Sequence, residues 1–527
     1  MSLTAWSIFE IRADGDTLNA GAFEPTSASN TSVYSATLST ANGTSDTPTV
    51  TASNYTFVAS DVGHWLYIHA GTSWQGGWYR IQSVAGGSAT VDARVNRFGA
   101  LNQGLRWWQG VATTASASSG QWSIDYSQSP AAHRVYTDLA IQSTNTDVVS
   151  AAFPFGPNHV GNCVRVLSGT GFTVGRYRIV SIPTGNVARL SSAVGTALST
   201  GGGGRLGGAV NHPTGHHVNG SLVFVRAGTY NYDMSLAVNT PGGRSDVPAT
   251  FIGYGTDRWD FGTRPMLRAT VNAASPVGMM AGSFLFFDLD MAGLTNVNGF
   301  HNARCHLCRA YNSAPGRAGF WGGQAFYCLA ENPAQSGGRG FDGGTVYCLG
   351  RRVTFGTAMH IHSIAEDCSW GFAEALTTIR CLAVRCSRPF VMGWNDPLGI
   401  RLAINNLSVG HTFTDGGFWA SGVAQGRSLV LGLNNAAFGA GPGFELTNTR
   451  TAGWWFGNIP LTADPTQDSA GRNYRLARNA TGALLRGTGY DPELSFGVAR
   501  AGTDIGVFAE PYDVPGLPAG RAYNSGG

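Results

Sequence analysis

Residues 308–368 read "CRAYNSAPGRAGFWGGQAFYCLAENPAQSGGRGFDGGTVYCLGRRVTFGTAMHIHSIAEDC" and place cysteines at 308, 328, 348 and 368, a step of 20 each time. The beat reaches further. Asp288 lies 20 residues before Cys308 in "SFLFFDLDMAGL", Cys386 lies 18 after Cys368, and Asn406 lies 20 after that. A fixed period of about 20–50 residues marks a solenoid or repeat array. The pieces on the beat, such as "AFYCLA", "TVYCLG" and "IRCLAVRC", are short and apolar, with Gly, Pro, Asn and Ser between them. No interval keeps apolar residues at i, i+3, i+4 and i+7 over three turns, so helical repeats are not expected. Strands of about 4–6 residues joined by tight turns fit the spacing, and three of them use about 20 residues. That is one coil of a parallel β-helix, whose coils stack about 4.8 Å apart through main-chain hydrogen bonds. Cys308, Cys328, Cys348 and Cys368 are therefore expected to stack in successive coils with their side chains inward.

Such a ladder is first of all packing, because free Cys is a small and frequently buried hydrophobe. Stacked Cα atoms are close enough for disulfides, but parallel side-chain vectors make the torsion awkward. Cys305 and Cys308 form a C-x-x-C, and Cys381 and Cys386 a looser pair, with no second C-x-x-C at zinc-finger spacing. No metal site is expected from that pattern. Cys163 lies far from the other seven cysteines, so reduced thiols are expected rather than a full set of disulfides.

The composition agrees with an all-β chain. Of 527 residues, 43% are hydrophobic and 11% aromatic, enough to bury a core. Charged residues are only 12%, against about 25% in ordinary globular proteins. Glycine numbers 74, about twice the usual share. The net charge of +3 has no basic block behind it, so no nucleic-acid partner is expected. The chain contains no lysine. That excludes a P-loop lysine, a Schiff-base lysine and a Ser–Lys catalytic pair. "MSLTAWSIFEIRADGD" lacks the basic start of a signal peptide, and no run of 18 apolar residues exists, so neither secretion by that route nor a membrane span is expected.

Upstream of the coils the chain repeats itself. "FVASDVGHWLYIHAGTSWQGGWYRIQSV" from Phe57 matches "FGPNHVGNCVRVLSGTGFTVGRYRIVSI" from Phe155 at an offset of 98 without a gap. Val62/Val160, Gly63/Gly161, Gly71/Gly169, Thr72/Thr170, Gly77/Gly175, Tyr79/Tyr177, Arg80/Arg178, Ile81/Ile179 and Ser83/Ser181 are identical. Each copy reads as a small antiparallel β-module. The following "GTALSTGGGGRLGGAVNHPTGHH" carries Gly202-x-Gly204-x-x-Gly207, a formal dinucleotide fingerprint, but outside any βαβ unit. It reads as a flexible link, and no cofactor is expected. The expected order is a first module over 1–110, a second over 111–212, a parallel β-helix of about eleven coils over 213–450, and a C-terminal β cap over 451–527.

The duplicated "VG…GT…G-Y-R-I" module, "GGRLGGAV", "VFVRAGTY", "TFIGYGT", the closing "TDIGVFAEP" and, more loosely, "IRADGDTLNAGAF" together resemble a group of phage and virus-derived right-handed β-helix proteins. That resemblance implies a virion component: a tail fibre, tailspike or capsid-attached appendage, assembled in the host cytoplasm and often homotrimeric. It implies contact with other virion proteins through the N-terminal modules and with a host-surface glycan through the rod. It carries over no active site.

The runner-up reading is a polysaccharide depolymerase on the same scaffold, and a third is a non-viral surface or adhesion protein. Asp288 and Asp290, on one strand, face the same way about 7 Å apart, near the separation of about 6.5–9.5 Å that an inverting glycosidase uses. Glu366, Asp367 and Glu374 form a second acidic cluster, and His360 and His362 share one side of a strand. All of these also read as turn-capping and surface groups. No G-x-S-x-G or H-E-x-x-H occurs. No catalytic, cofactor-binding or metal-binding residue is assigned on this reading. Trp107, Trp108, Trp321, Trp370, Trp394, Trp419, Trp454 and Trp455 are candidate sugar-stacking platforms, some of them core.

Overall fold

The computed structural model describes residues 8–23, 35–96, 115–125, 134–211, 222–232, 250–269, 282–392, 400–420, 429–446, 452–468 and 473–476, apart from a few short turns inside those ranges. Among these residues the helical positions are 3-10 alone, at Ala59–Asp61 and at His159, with no α-helix; everything else regular is strand. The chain divides into two compact units, residues 1–226 with 243–249, and residues 227–242 with 250–527.

The first unit holds two closed six-stranded antiparallel barrels of identical strand order. One is built from Ser35–Thr40, Thr49–Ala52, Trp65–Ala70, Gly77–Ala85, Ser88–Val91 and Ala117–Asp125, and so extends past residue 110. The other uses Arg134–Ile141, Asp147–Val149, Cys163–Ser168, Gly175–Ser181, Ala188–Leu190 and Gly202–Leu206. The shared residues have the same work in each. Gly63 and Gly161 sit at φ 89° and 90°, a left-handed conformation that glycine adopts freely. Their N–H groups reach the carbonyls of Ile81 and Ile179 at 2.8 and 2.9 Å. The Tyr79 hydroxyl donates to the Gln75 carbonyl at 2.8 Å, and that of Tyr177 to the Thr173 carbonyl at 2.7 Å. One substitution between the copies keeps the function of the position. Asp61 accepts the Val58 N–H at 2.9 Å, and His159, its counterpart, accepts the Gly156 N–H through Nδ1 at 3.1 Å.

The glycine run after the second copy is not a flexible link. Gly202–Leu206 is the strand that closes the second barrel, between Cys163–Ser168 and Arg134–Ile141. Side chains are excluded there: a Cβ on Gly202 would lie 2.6 Å from the Phe172 ring, and one on Gly204 2.7 Å from the Arg165 carbonyl. The carbonyls of Gly207 and Gly208 then accept the N–H groups of Ala20 and Gly21, both at 2.9 Å. Three arginines of the barrel hold the same N-terminal segment. Arg205 bonds Asp16 and Asn19 at 2.9 and 2.8 Å, Arg176 reaches the Ala20 carbonyl at 3.0 Å, and Arg165 reaches the Thr17 carbonyl. The formal dinucleotide fingerprint is thus a barrel strand followed by a cradle for residues 16–21. Repetition of composition hid this, because glycines that relieve crowding look the same in sequence as glycines that confer freedom.

The second unit is a right-handed parallel β-helix, the hand that parallel strand connections take in nearly all folds. Each full coil has three strands, as in Trp370–Ala373, Thr377–Ile379 and Leu382–Val384. The third strands form a sheet of eleven, from Thr229–Tyr232 to Ile459–Pro460, so coil strands continue past residue 450. Part of the expected cap, residues 477–527, lies outside the described residues; inside it Thr466–Asp468 pairs antiparallel with Asn473–Leu476.

The corners carry the repeat. Single residues in the left-handed region, Leu307, Tyr327, Tyr347, His362, Arg380, Asn405 and Asn434, turn the chain from second to third strand. The next residue in each coil points inward, giving the column Cys308, Cys328, Cys348, Ser363, Cys381, Asn406, Asn435 and Asn458, joined rung to rung by main-chain bonds. Members of this column donate to a carbonyl beneath. Cys348 Sγ lies 3.2 Å from the Ala325 carbonyl and Asn435 Nδ2 2.9 Å from that of Ala403, whereas Ser363 Oγ donates within its own coil to the Ile361 carbonyl at 3.0 Å. The position asks for a small inward donor, and Cys, Ser and Asn all satisfy it. Cys308, Cys328 and Cys348 stack as expected, but Cys368 does not continue them. The coil after Cys348 shortens, Ser363 takes the rung, and Cys368 points inward at the following corner, two positions after Glu366, with Cys386 above it. All eight cysteines are buried and none forms a disulfide.

A second column fills the core. Phe251, Phe284, Phe300, Phe320, Phe341, Phe355, Phe372, Phe390, Phe418 and Phe444 follow one another with ring centroids 4.5–5.3 Å apart. Across from it the third strands present small residues, Ala310, Ala330, Gly350, Ala365, Ala383 and Ala437, so bulky and small layers interdigitate.

Candidate functional site

Asp288 and Asp290 flank buried Leu289 on the strand Asp288–Asp290 and share its outer face, as the period-2 rule requires. They do not stand free there. Asp288 lies between Arg264 and Arg309 at 3.7 and 3.8 Å, and Asp290 lies 3.6 Å from Arg268 and accepts a 2.8 Å bond from Asn312 Nδ2. Burial raises the Asp288 pKa above the ordinary carboxylate value, and the two arginines oppose that rise. Arg264 also lies over the Phe286 ring at 4.1 Å. The arrangement is a layered charge cluster in which each carboxylate faces arginine from a neighbouring strand.

The second acidic cluster is split by the fold. Glu366, fully buried, bonds Arg351 at 2.9 Å and Arg385 at 2.7 Å, and Arg385 also grips Asp367 at 2.6 Å. Glu374 belongs to the next corner, at φ 59°, on another side of the coil. His360 and His362 do not share a side. His360 points into the core, donating from Nε2 to the Gly356 carbonyl at 3.0 Å and accepting from Thr345 Oγ1 on Nδ1 at 2.9 Å. His362 occupies a corner at φ 48° and stacks outside on Tyr347, 4.8 Å between centroids. The corner lies between them, which a strand reading could not include.

Burial lowers the His360 pKa to about 4. The folded state thus favours the neutral ring, and its contribution is present above the ordinary value near 6.5 and is lost as pH falls toward 4. His64 and His159 are lowered by burial to about 4 and about 3 and act in the same direction. The melting temperature is expected to fall between pH 6.5 and 4. His360→Gln should lower it at pH 7 but flatten that fall; two parallel pH curves would contradict the assignment.

The outer face of the first strands carries an opening that the acidic pairs did not indicate. A cavity of about 220 Å³ is lined by Arg339, Thr354, Gly356, Ser369, Trp370, Ala373 and Glu374. Three successive coils supply these residues, from Gly338–Val346, Val353–Phe355 and Trp370–Ala373. Arg339 Nη1 donates to Asp342 Oδ2 at 3.1 Å, and Asp342 Oδ1 lies 3.3 Å from the Thr357 N–H. Gly356 is needed in the wall: a Cβ there would fall 2.1 Å from Asp342 Oδ1. Arg388 covers one face of Trp370 at 5.1 Å from the ring centre. Glu374 is the one carboxylate among the lining residues. Of the eight tryptophans considered as platforms, Trp321 and Trp370 have described side chains, both half-exposed. Trp107, Trp108 and Trp394 lie outside the described residues, and of Trp419, Trp454 and Trp455 only the backbone is described. The sequence held Trp370 and Glu374 in view but not Arg339, because shortening of the coils breaks the 20-residue beat where these rungs meet.

No protein-family model matches this chain, and no curated protein matches its sequence. Among solved structures it is similar to pectate lyase Pel9A, with 12% identity over 55% of this chain and 88% of that one and a TM-score of 0.30. It is also similar to the catalytic unit of a thermostable GH87 α-1,3-glucanase from Streptomyces thermodiastaticus, with 11% identity over 62% of this chain and 87% of that one and a TM-score of 0.22. Neither match bears on substrate or activity.

Proposed function

We propose that this chain is an attachment protein of a bacteriophage particle, a tail fibre, tailspike or capsid appendage that binds a host-surface glycan without cleaving it. The observation that carries the binding part is the polar, Trp-containing cavity on the first-strand face, bordered by Arg339, Trp370 and Glu374. An exposed aromatic face beside hydrogen-bonding side chains suits sugar rings. Hydrolysis by the usual route needs two carboxyl groups flanking the scissile bond. Only Glu374 lines this cavity, and the carboxyl whose pKa is raised, Asp288, belongs to third strands. The division of the chain into duplicated barrels and a rod supports holding by one part and contact by the other. Mass spectrometry of purified particles tests the setting: peptides of this chain should be present at stoichiometric level, and their absence would end the virion reading.

The rod is proposed to associate as a homotrimer through its second-strand face. There Phe326, Val346, Ile361 and Ile379 form a half-buried apolar run on successive coils, with Met359 51% exposed beside it; exposed His306 precedes the run and buried Ile404 follows it. Three-fold closure would cover such a face symmetrically. Mass photometry at micromolar concentration should give three times the 55.3 kDa chain mass, and Ile361→Asp should shift it to monomer. A wild-type monomer would contradict this.

A further inference from the structure

We propose that the first-strand cavity selects an anionic sugar residue, one carrying a carboxylate or a sulfate, and that Arg339 is the group that reads the charge. This rests on the glycan-binding reading of the cavity and goes beyond it to the class of ligand.

The argument begins with how Arg339 is held. Its guanidinium has five N–H donors in a fixed fork suited to paired oxygens. Among the described residues it gives one bond to protein, Nη1 to Asp342 Oδ2 at 3.1 Å. The Asp342 side chain is 7% exposed and that of Arg339 37%. The carboxylate therefore stands behind and the guanidinium in front. Asp342 is itself fixed from its other oxygen by the Thr357 N–H at 3.3 Å, and it packs on Gly356 where no Cβ would fit. A buried carboxylate that anchors one edge of an arginine leaves the remaining donors oriented and unspent. Those donors border a cavity rather than another protein group.

The rest of the lining agrees in sign and placement. Arg388 lies over Trp370 at 5.1 Å, adding a second positive charge beside the ring on which a sugar would stack. Glu374 stands among the same lining residues and accepts hydroxyls but repels a second acid, so it fixes which end of the ligand carries the charge. Ser369 and Thr354 supply neutral hydroxyls. The coils around the cavity are also arginine-rich: residues 300–392 contain nine arginines against five acids, in a chain with a net charge of only +3. Arg351 and Arg385 are spent on Glu366 and Asp367, whereas the Arg339 fork is not spent in this way. A field of that sign raises the local concentration of anionic polymers before contact.

The test uses the full-length protein and three short glycans of equal length: oligogalacturonate for the carboxylate, a sulfated dextran oligosaccharide for the sulfate, and an uncharged dextran oligosaccharide. Binding is read by titration calorimetry at 0.15 M salt. One or both anionic glycans should bind at least about tenfold more tightly than the neutral one, and comparison of the two identifies the acid. Arg339→Gln should remove that preference with the melting temperature kept, and Arg339→Lys, which keeps the charge beside Asp342 but not the fork, should restore only part of it. Trp370→Ala should weaken all glycans. Equal binding of neutral and anionic glycans, both weakened by Trp370→Ala, would overturn the anionic class and leave the glycan reading standing. Anionic binding that survives both Arg339→Gln and Trp370→Ala would place recognition elsewhere on the arginine-rich coils and overturn the assignment to this cavity. Absence of binding by all three would remove the glycan reading itself.

Discussion

Phe372→Ala is expected to destabilise the β-helix by about 3–5 kcal/mol, the range for emptying a buried aromatic site. Phe372 is fully buried and stacks on both neighbours, 4.7 Å from Phe355 and 5.0 Å from Phe390. In a solenoid the stability is close to a sum over coils and the interfaces between them. Loss of one central ring therefore damages two interfaces at once. Phe444 stacks on Phe418 at 5.0 Å but is only half-buried, so less apolar surface returns to water when its ring is removed. Phe444→Ala should cost less than half as much. The check is a pair of denaturant titrations of the β-helix transition, and equal losses at the two positions would show that burial of the ring does not set its contribution.

Asn435→Leu should cost a similar amount by a different route. The Asn435 amide accepts from the Asn406 N–H and from Asn406 Nδ2, both at 3.0 Å. It donates to the Ala403 carbonyl and to Asn458 Oδ1, both at 2.9 Å. Leucine matches the volume but leaves these buried groups unsatisfied, each at about 1–3 kcal/mol before relaxation. A net loss of about 3–5 kcal/mol is expected. Asn435→Ser should retain much of that stability, because Ser363 in the same column accepts the N–H of the residue before it in the column, Cys348, at 3.4 Å, as Asn435 accepts that of Asn406. If Ser and Leu at 435 melt alike, the column is packing and not hydrogen bonding.

The fold was legible where the coils keep constant length. Cys308, Cys328 and Cys348 mark one rung position each, and two equal intervals were enough to reveal the period. The same column continues through Ser363, Cys381, Asn406, Asn435 and Asn458, at intervals of 15, 18, 25, 29 and 23 residues. Coils lengthen and shorten at their corners without disturbing the rung, so a fixed step cannot follow them. The phenylalanine column is irregular for the same reason. The chemistry of the corner was hidden too, since Cys, Ser and Asn look unrelated until their shared carbonyl partners are seen. The acidic pairs were legible as neighbours but not as ion pairs, because Arg264, Arg309, Arg351 and Arg385 come from adjacent coils. Arg339 was illegible as a site residue: its cavity partners Thr354 and Trp370 are brought to it only by the register of three coils. The duplicated barrels, whose copies share an ungapped offset, were the easiest feature to read.

The central claim, that the rod binds a surface glycan and leaves it intact, is tested most directly by one measurement. Immobilised full-length protein is incubated with polysaccharide extracted from the host envelope, and the retained fraction is eluted and sized by gel filtration. The expected result is retention by the wild type, reduced retention by Trp370→Ala, and an unchanged chain-length distribution in the eluate. Shortened chains with the wild type, restored to full length by Glu374→Gln, would contradict the account and make the cavity an active site.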